Sequence, residues 1–168
     1  MGRLARAVGP GLLAFATYIV FSGSVHPLDL LAALLVGATV GLITANLVVR
    51  EPRKLLQLER LGWLVAYAIH YFFVDEVRAH LDVMRRIVHP AMPINPGIVR
   101  VPYTTESDYA TTAVANSITN TPGTVVVDID PEKRIFYVHW IDVKALEPEE
   151  TRRRISLTFE RFAKRVFD

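Results

Sequence analysis

The sequence predicts an α-helical membrane anchor, two transmembrane helices plus a long partly embedded or interfacial helix, followed by a small α+β domain, a βαββα two-layer sandwich. Three observations carry this expectation. Two charge-free apolar stretches fill most of the first fifty residues, a third apolar stretch turns amphipathic partway along, and beyond a Pro-rich boundary the periodicity changes to alternation. The expected divisions are 1–54 for the two transmembrane helices, 55–97 for the long helix and its Pro-rich linker, and 98–168 for a cytoplasmic α+β domain.

Of the 168 residues, 51% are hydrophobic and only 21% charged, with a mean hydropathy of +0.28. No Asp, Glu, Lys, Arg or His lies between Ala7 and Val25, and none between Leu30 and Val49. A helix rises about 1.5 Å per residue, so roughly 20 apolar residues match a hydrocarbon core of about 30 Å. A cleavable signal sequence is the rival reading of the first run, because Arg3 and Arg6 precede it and Ser22-Gly23-Ser24 resembles a cleavage site. The apolar stretch is longer than a usual signal core, however, and a second follows at once. The absence of cysteine excludes a disulfide framework, a thiolate nucleophile and a Cys-ligated metal.

Basic residues set the orientation. Arg3 and Arg6 flank the first span, the Val25–Asp29 connection has no Lys or Arg, and Arg50, Arg53 and Lys54 crowd the end of the second. The positive-inside rule then places the N-terminus and everything after residue 50 in the cytoplasm of a multi-pass protein of the cell membrane. The net charge of +2 is accounted for by bases at headgroup level and needs no nucleic acid.

In the second span Ala33, Gly37, Gly41 and Ala45 recur every four residues on one face, with Gly37–Gly41 a GxxxG. Lipid gives helices little hydrophobic reason to associate, so small residues that permit close backbone approach mark a packing seam. Its partner is another helix of this chain or of a second protein, unless the spacing is chance in an Ala/Gly-rich span. Asn46 is placed to hydrogen-bond across helices, and Asp29, beside His26, to cap the second helix. With no Lys, Glu or Arg in the membrane interior, an ion path through these helices alone is not expected.

Leu61 to Val74 is apolar but short for a crossing. From Asp75 the pattern is amphipathic, with Val77, Leu81, Met84 and Val88 on one face and Glu76, Arg78, His80, Asp82, Arg85 and Arg86 opposite. A crossing here would carry Arg78, Arg85 and Arg86 outward, so a helix along the cytoplasmic interface is expected, Trp63 and the tyrosines near headgroup level. Pro90 and Pro93 end it.

Beyond Ala91–Gly97, Ile98–Tyr103 reads as a strand and Asp108–Thr119 as a helix opening near Ser107. Thr124–Ile129 and Arg134–Val143 read as strands joined by a turn at Asp130–Lys133. Glu147-Pro148-Glu149-Glu150 starts a final helix with an apolar stripe of Ile155, Phe159, Phe162 and Val166. A core of about 70 residues is marginal, so packing against the long helix or a partner is expected.

No catalytic, cofactor-binding or metal-binding residues are assigned, and no cofactor. Asp128 and Asp130 flank a turn, His139 alternates with Tyr137 and Ile141 as a packed strand residue, and His70, His80 and His89 lack paired ligand spacing. Thr121–Thr124 lacks the second glycine and the lysine of a phosphate loop.

Three segments carry a resemblance: Pro93-Ile94-Asn95-Pro96-Gly97, Ala115-Asn116-Ser117-Ile118-Thr119-Asn120-Thr121-Pro122-Gly123-Thr124, and Tyr137-Val138-His139-Trp140-Ile141-Asp142-Val143. Together with Leu81-Asp82-Val83-Met84-Arg85-Arg86 and the paired spans, they closely resemble the E subunit of Mrp-type (Mnh) multisubunit sodium/proton antiporters, over essentially the whole chain. Asn120 departs from the apolar residue expected there. The resemblance implies a non-catalytic accessory subunit. Its partners would be the bilayer and other membrane subunits of an Mrp-type antiporter, or of an archaeal membrane-bound hydrogenase or sulfur-reducing complex. It implies no nucleic acid and no small-molecule substrate of its own. It singles out Asn116, Ser117, Thr121, Pro122, Gly123, His139, Trp140 and Asp142 as docking or structural elements. Two other classes stay open: a self-sufficient membrane-anchored sensor or binding domain, and a membrane enzyme using His139 and Asp142.

Overall fold

A computed structural model describes residues 2–48, 54 and 57–168; Arg50 and Arg53 of the basic cluster lie outside the described residues. The chain forms two compact units, Met1–Leu58 and Glu59–Asp168.

The first unit is a helical hairpin, α1 (Arg3–Ser22) and α2 (Pro27–Val48). Both helices are long and apolar enough to cross a membrane. Gly23 adopts the left-handed conformation (φ +62°) and its N–H bonds to Ile19 O, closing α1. At the start of α2 the Ser24 hydroxyl donates to Asp29 Oδ2 at 2.5 Å. Large apolar side chains such as Leu13, Phe21, Leu35, Ile43 and Leu47 point outward, as hydrocarbon surroundings require.

The second unit begins with a continuous helical rod: α3 (Leu58–His70), one π turn (Tyr71–Asp75) and α4 (Glu76–Val88). There follow β1 (Gly97–Pro102), α5 (Asp108–Asn120), β2 (Thr124–Asp130), β3 (Ile135–Trp140), α6 (Pro148–Ile155) and α7 (Leu157–Phe167). The expected single C-terminal helix is therefore two, because Ser156 (φ −115°) interrupts it. The sheet is antiparallel in the order β1-β3-β2. Val127 is an extra residue in β2, shifting the register between Val126↔Val138 and Asp128↔Tyr137.

Local chemistry fixes the element ends. The Ser107 hydroxyl accepts from Ala110 N, capping α5, and Asp168 at the end of α7 accepts from the N–H groups of Glu106 and Ser107. Glu147 caps α6 through Glu150 N, with Pro148 at its first position. The core lies on one sheet face, where Val99, Val101, Phe136 and Val138 meet Val114 and Ile118 of α5 and Ile155, Phe159 and Ala163 of α6 and α7. The rod completes that core. Tyr67 stacks on Phe162 (5.3 Å), Tyr71 tilts against Phe159 (5.9 Å), and both tyrosines are buried. Trp63 meets Phe162 with the Arg165 guanidinium 4.0 Å from its ring centre, so it serves the domain-facing side of the rod.

A carboxylate is sealed inside. Glu160 is 1% exposed and accepts from Arg152 Nε (3.0 Å), the Ser156 hydroxyl (2.8 Å) and Thr104 N (3.0 Å). Burial pushes its carboxyl up, but the bonds to Arg152, Ser156 and Thr104 overrule this and hold it below its ordinary value. A depressed folded value stabilises the fold above the unfolded carboxyl range and loses that contribution as pH falls through it. Melting curves of the purified protein in detergent should thus shift down below pH ~4.5, near the unperturbed glutamate value. Glu160→Gln should flatten that pH dependence and cost about 3–5 kcal/mol at neutral pH, because Arg152 loses its buried partner.

Candidate functional site

The hairpin seam comes first. Ala33, Gly37, Gly41 and Ala45 form the buried face of α2, and α1 of the same chain lies against it. A Cβ on Gly37 would sit 2.8 Å from Gly11 O, and one on Gly41 2.5 Å from Ala7 O. Only hydrogen fits at either position. Asn46 is exposed and accepts from Arg6 Nη1 at 3.5 Å, while Arg3 donates to Leu42 O at 3.2 Å. Along this seam the backbones of α1 and α2 approach closely at Gly37 and Gly41.

Of the three family-like segments, Ala115, Ile118 and Val138 are buried, 93–96 are exposed, and most of the remainder is half-buried. Ser117 and Tyr67 share a hydrogen bond through their hydroxyls, and Asn120 Nδ2 donates to Tyr71 Oη at 3.2 Å. The amide at 120, where an apolar residue was expected, therefore has a polar partner in this chain. Burial pushes the Tyr67 hydroxyl up to about 12 against the lowering effect of Ser117. Gly123 needs its left-handed φ of +95°, and a side chain there would meet Ile141 Cγ2 at 3.0 Å. Asn116 is exposed. His139 is partly exposed, in register with Ile98 and Val125. It therefore packs on the outer sheet face, away from the core. Among the described residues no group of His, Asp and Glu could hold a metal ion.

Arg86 binds several of these segments into one unit. It is buried on α4 and reaches Asp82 (2.8 Å), Asp142 (2.9 Å) and Pro93 O (2.6 Å). The hydrogen bond from Arg86 holds the Asp82 carboxyl below its ordinary range. Asn95 completes the tie, accepting from Val143 N (2.8 Å) and donating through its own N–H to Ile141 O (3.1 Å). The segments at 93–97 and 137–143 are thereby fastened to the rod.

Between rod and domain a cleft of about 270 Å³ remains open. The rod contributes Asp75, Arg78 and Asp82; Thr121–Thr124, Trp140 and Ile141 form a second wall; Arg153 and Arg154 stand at the break between α6 and α7. Both arginines pair with Glu150, at 2.8 and 2.7 Å. Asp75 Oδ2 is buried without a hydrogen bond, the nearest base being His70 Nε2 at 3.7 Å; burial raises its carboxyl above the ordinary value. Sequence reading missed Asp75, Arg78, Arg153 and Arg154 as a group. The available signal was Asp75 itself, the acid that ends the apolar run.

A family model described as Na+/H+ ion antiporter subunit (MNHE) matches residues 11–166. The chain belongs to this family. It is 34% identical over 127 residues to the E subunit of the Na(+)/H(+) antiporter of Alkalihalophilus pseudofirmus, covering 76% of this chain and 78% of that one. With the corresponding E subunit from Bacillus subtilis it shares 33% over 78 residues, 46% of this chain and 49% of the relative. Among solved structures it is similar to a chain of the membrane-bound sulfane sulfur reductase, an archaeal respiratory membrane complex. That match has a TM-score of 0.83 and 32% identity, and covers 97% of this chain and 99% of the other. The family is one of transporter components rather than enzymes.

The seam gives a direct check on this MNHE-family chain. Gly41→Leu drives a side chain into the Ala7 carbonyl, so it should lower the midpoint of thermal aggregation in detergent, at an overpacking cost of about 1–3 kcal/mol or more. Ala38→Leu, on the exposed side of α2, should leave it unchanged. Equal midpoints for the two variants would show that the seam does not pack on α1.

Proposed function

We propose that this protein is a non-catalytic accessory subunit of a multisubunit Mrp-type cation/proton antiporter module, working alone or built into a membrane-bound respiratory complex. The observation that carries the reading is the near end-to-end likeness to a chain of an archaeal respiratory membrane complex, joined to the family match over residues 11–166. The geometry agrees with it. The membrane helices hold no buried ionisable pair suited to relaying ions among their described residues, and their small-residue face is consumed in holding α1 to α2.

In this reading α1 and α2 cross the cell membrane with both ends of the hairpin in the cytoplasm, the side favoured by the basic residues at 3, 6, 50, 53 and 54. The three-stranded sheet and the helices packed on it are then a cytoplasmic domain. The rod of α3 and α4 lies along the cytoplasmic interface, its outward stripe of Leu61, Val65, Phe72, Val77, Leu81 and Met84, all exposed, meeting lipid or subunits. Other membrane subunits carry ions, and this chain supports their assembly.

Affinity purification of the tagged chain in mild detergent from its own membranes should recover several small hydrophobic proteins and at least one large antiporter-like protein. Its recovery as a lone monodisperse protein would contradict the assignment.

A further inference from the structure

We propose that the cleft beside the π turn binds the headgroup of a membrane phospholipid bearing a primary amine, its ammonium on Asp75 and its phosphate on Arg78. The proposal rests on the reading that α3 and α4 lie along the membrane surface.

The charges of the cleft are selective about what they leave open. Asp82 is engaged by Arg86, and Glu150 is shared by Arg153 and Arg154, one acid between two guanidiniums. Asp75 Oδ2, by contrast, is buried and accepts no hydrogen bond. Arg78 is exposed and makes no hydrogen bond among the described residues. One acid and one base, three residues apart and so on one helix face, thus line a single small cavity with capacity to spare. A simple anion would be repelled by Asp75, and a simple cation by Arg78 and the surplus positive charge at Glu150. A ligand carrying both signs satisfies both walls. The Asp75 carboxylate, which lines the cleft, calls for an N–H donor, which a primary ammonium supplies and a trimethylammonium does not.

Position selects a lipid as the source. Arg78 and Arg85 border the exposed apolar stripe of Val77, Leu81 and Met84, the arrangement that sets basic groups at phosphate depth while acyl chains run along the apolar face. Two helices able to cross a membrane precede the rod in the same chain. A volume of about 270 Å³ suits a headgroup, being just below the range of about 300–1,000 Å³ usual for whole small-molecule pockets.

The test uses the full chain in detergent with Trp63→Phe, which leaves Trp140 in the cleft wall as the sole tryptophan reporter. Phosphatidylethanolamine should change its emission saturably, and phosphatidylcholine and phosphatidylglycerol should do so at least about tenfold more weakly. Asp75→Asn and, independently, the exposed Arg78→Gln should each weaken the phosphatidylethanolamine response at least about tenfold. Equal responses to the three lipids, or an undiminished response in both variants, would overturn the site. Soluble phosphoethanolamine binding as tightly as the lipid would overturn the membrane source. A nitroxide at Leu81→Cys in nanodiscs separates the two levels of inference. A label shielded from a water-soluble relaxation agent, with no headgroup selectivity, sinks the site alone; a water-exposed label removes the surface reading and the proposal with it.

Discussion

The C-terminal unit depends on the burial of two tyrosines. Tyr67 and Tyr71 each place an aromatic ring against α7 and a hydroxyl against α5. A three-stranded sheet with three short helices offers little apolar area to hide, and the rod supplies what is missing. The tyrosines suit this task because a large apolar body and a polar tip are satisfied at once. The Arg86 tie and the 121–124 turn secure the same surface further along. Removing the rod would therefore expose the core of the domain, and the two are one folding unit.

Much of this was visible in the chain. The charge-free runs up to Val25 and Val49 mark the hairpin helices because few other patterns produce them, and the alternation of Val, Ile and Tyr marks the strands. The four-residue spacing of Ala33, Gly37, Gly41 and Ala45 shows a face. Which helix covers it is a question of three-dimensional proximity, answered by Gly11 and Ala7. The break at Ser156 was hidden, since the apolar stripe passes through it without interruption; what ends α6 is the demand of Glu160 for partners from α6 and from the loop after β1.

The cleft was the least legible part. Asp75 and Arg153 are far apart in sequence, and each belongs to a charged stretch that reads as a solvated surface. Periodicity reports which side of a helix faces in; it is silent on whether two acids on that side have the same supply of donors. Asp82 and Asp75 differ in that supply, one served by Arg86 and the other holding a buried oxygen with no hydrogen bond.

The π turn at Tyr71–Asp75 carries a consequence for how this rod tolerates change in length. Such a turn holds one residue more than an α-helix would, and each residue advances a helix by about 100°. Before it the inward residues are Trp63 and Tyr67; Tyr71 and Asp75 open and close the turn, and Ala79 and Arg86 follow on the domain side. The extra residue works as a phase shifter between an aromatic interface and an ionic one. Losing it would leave a straighter, more regular helix whose halves could no longer face the same domain together.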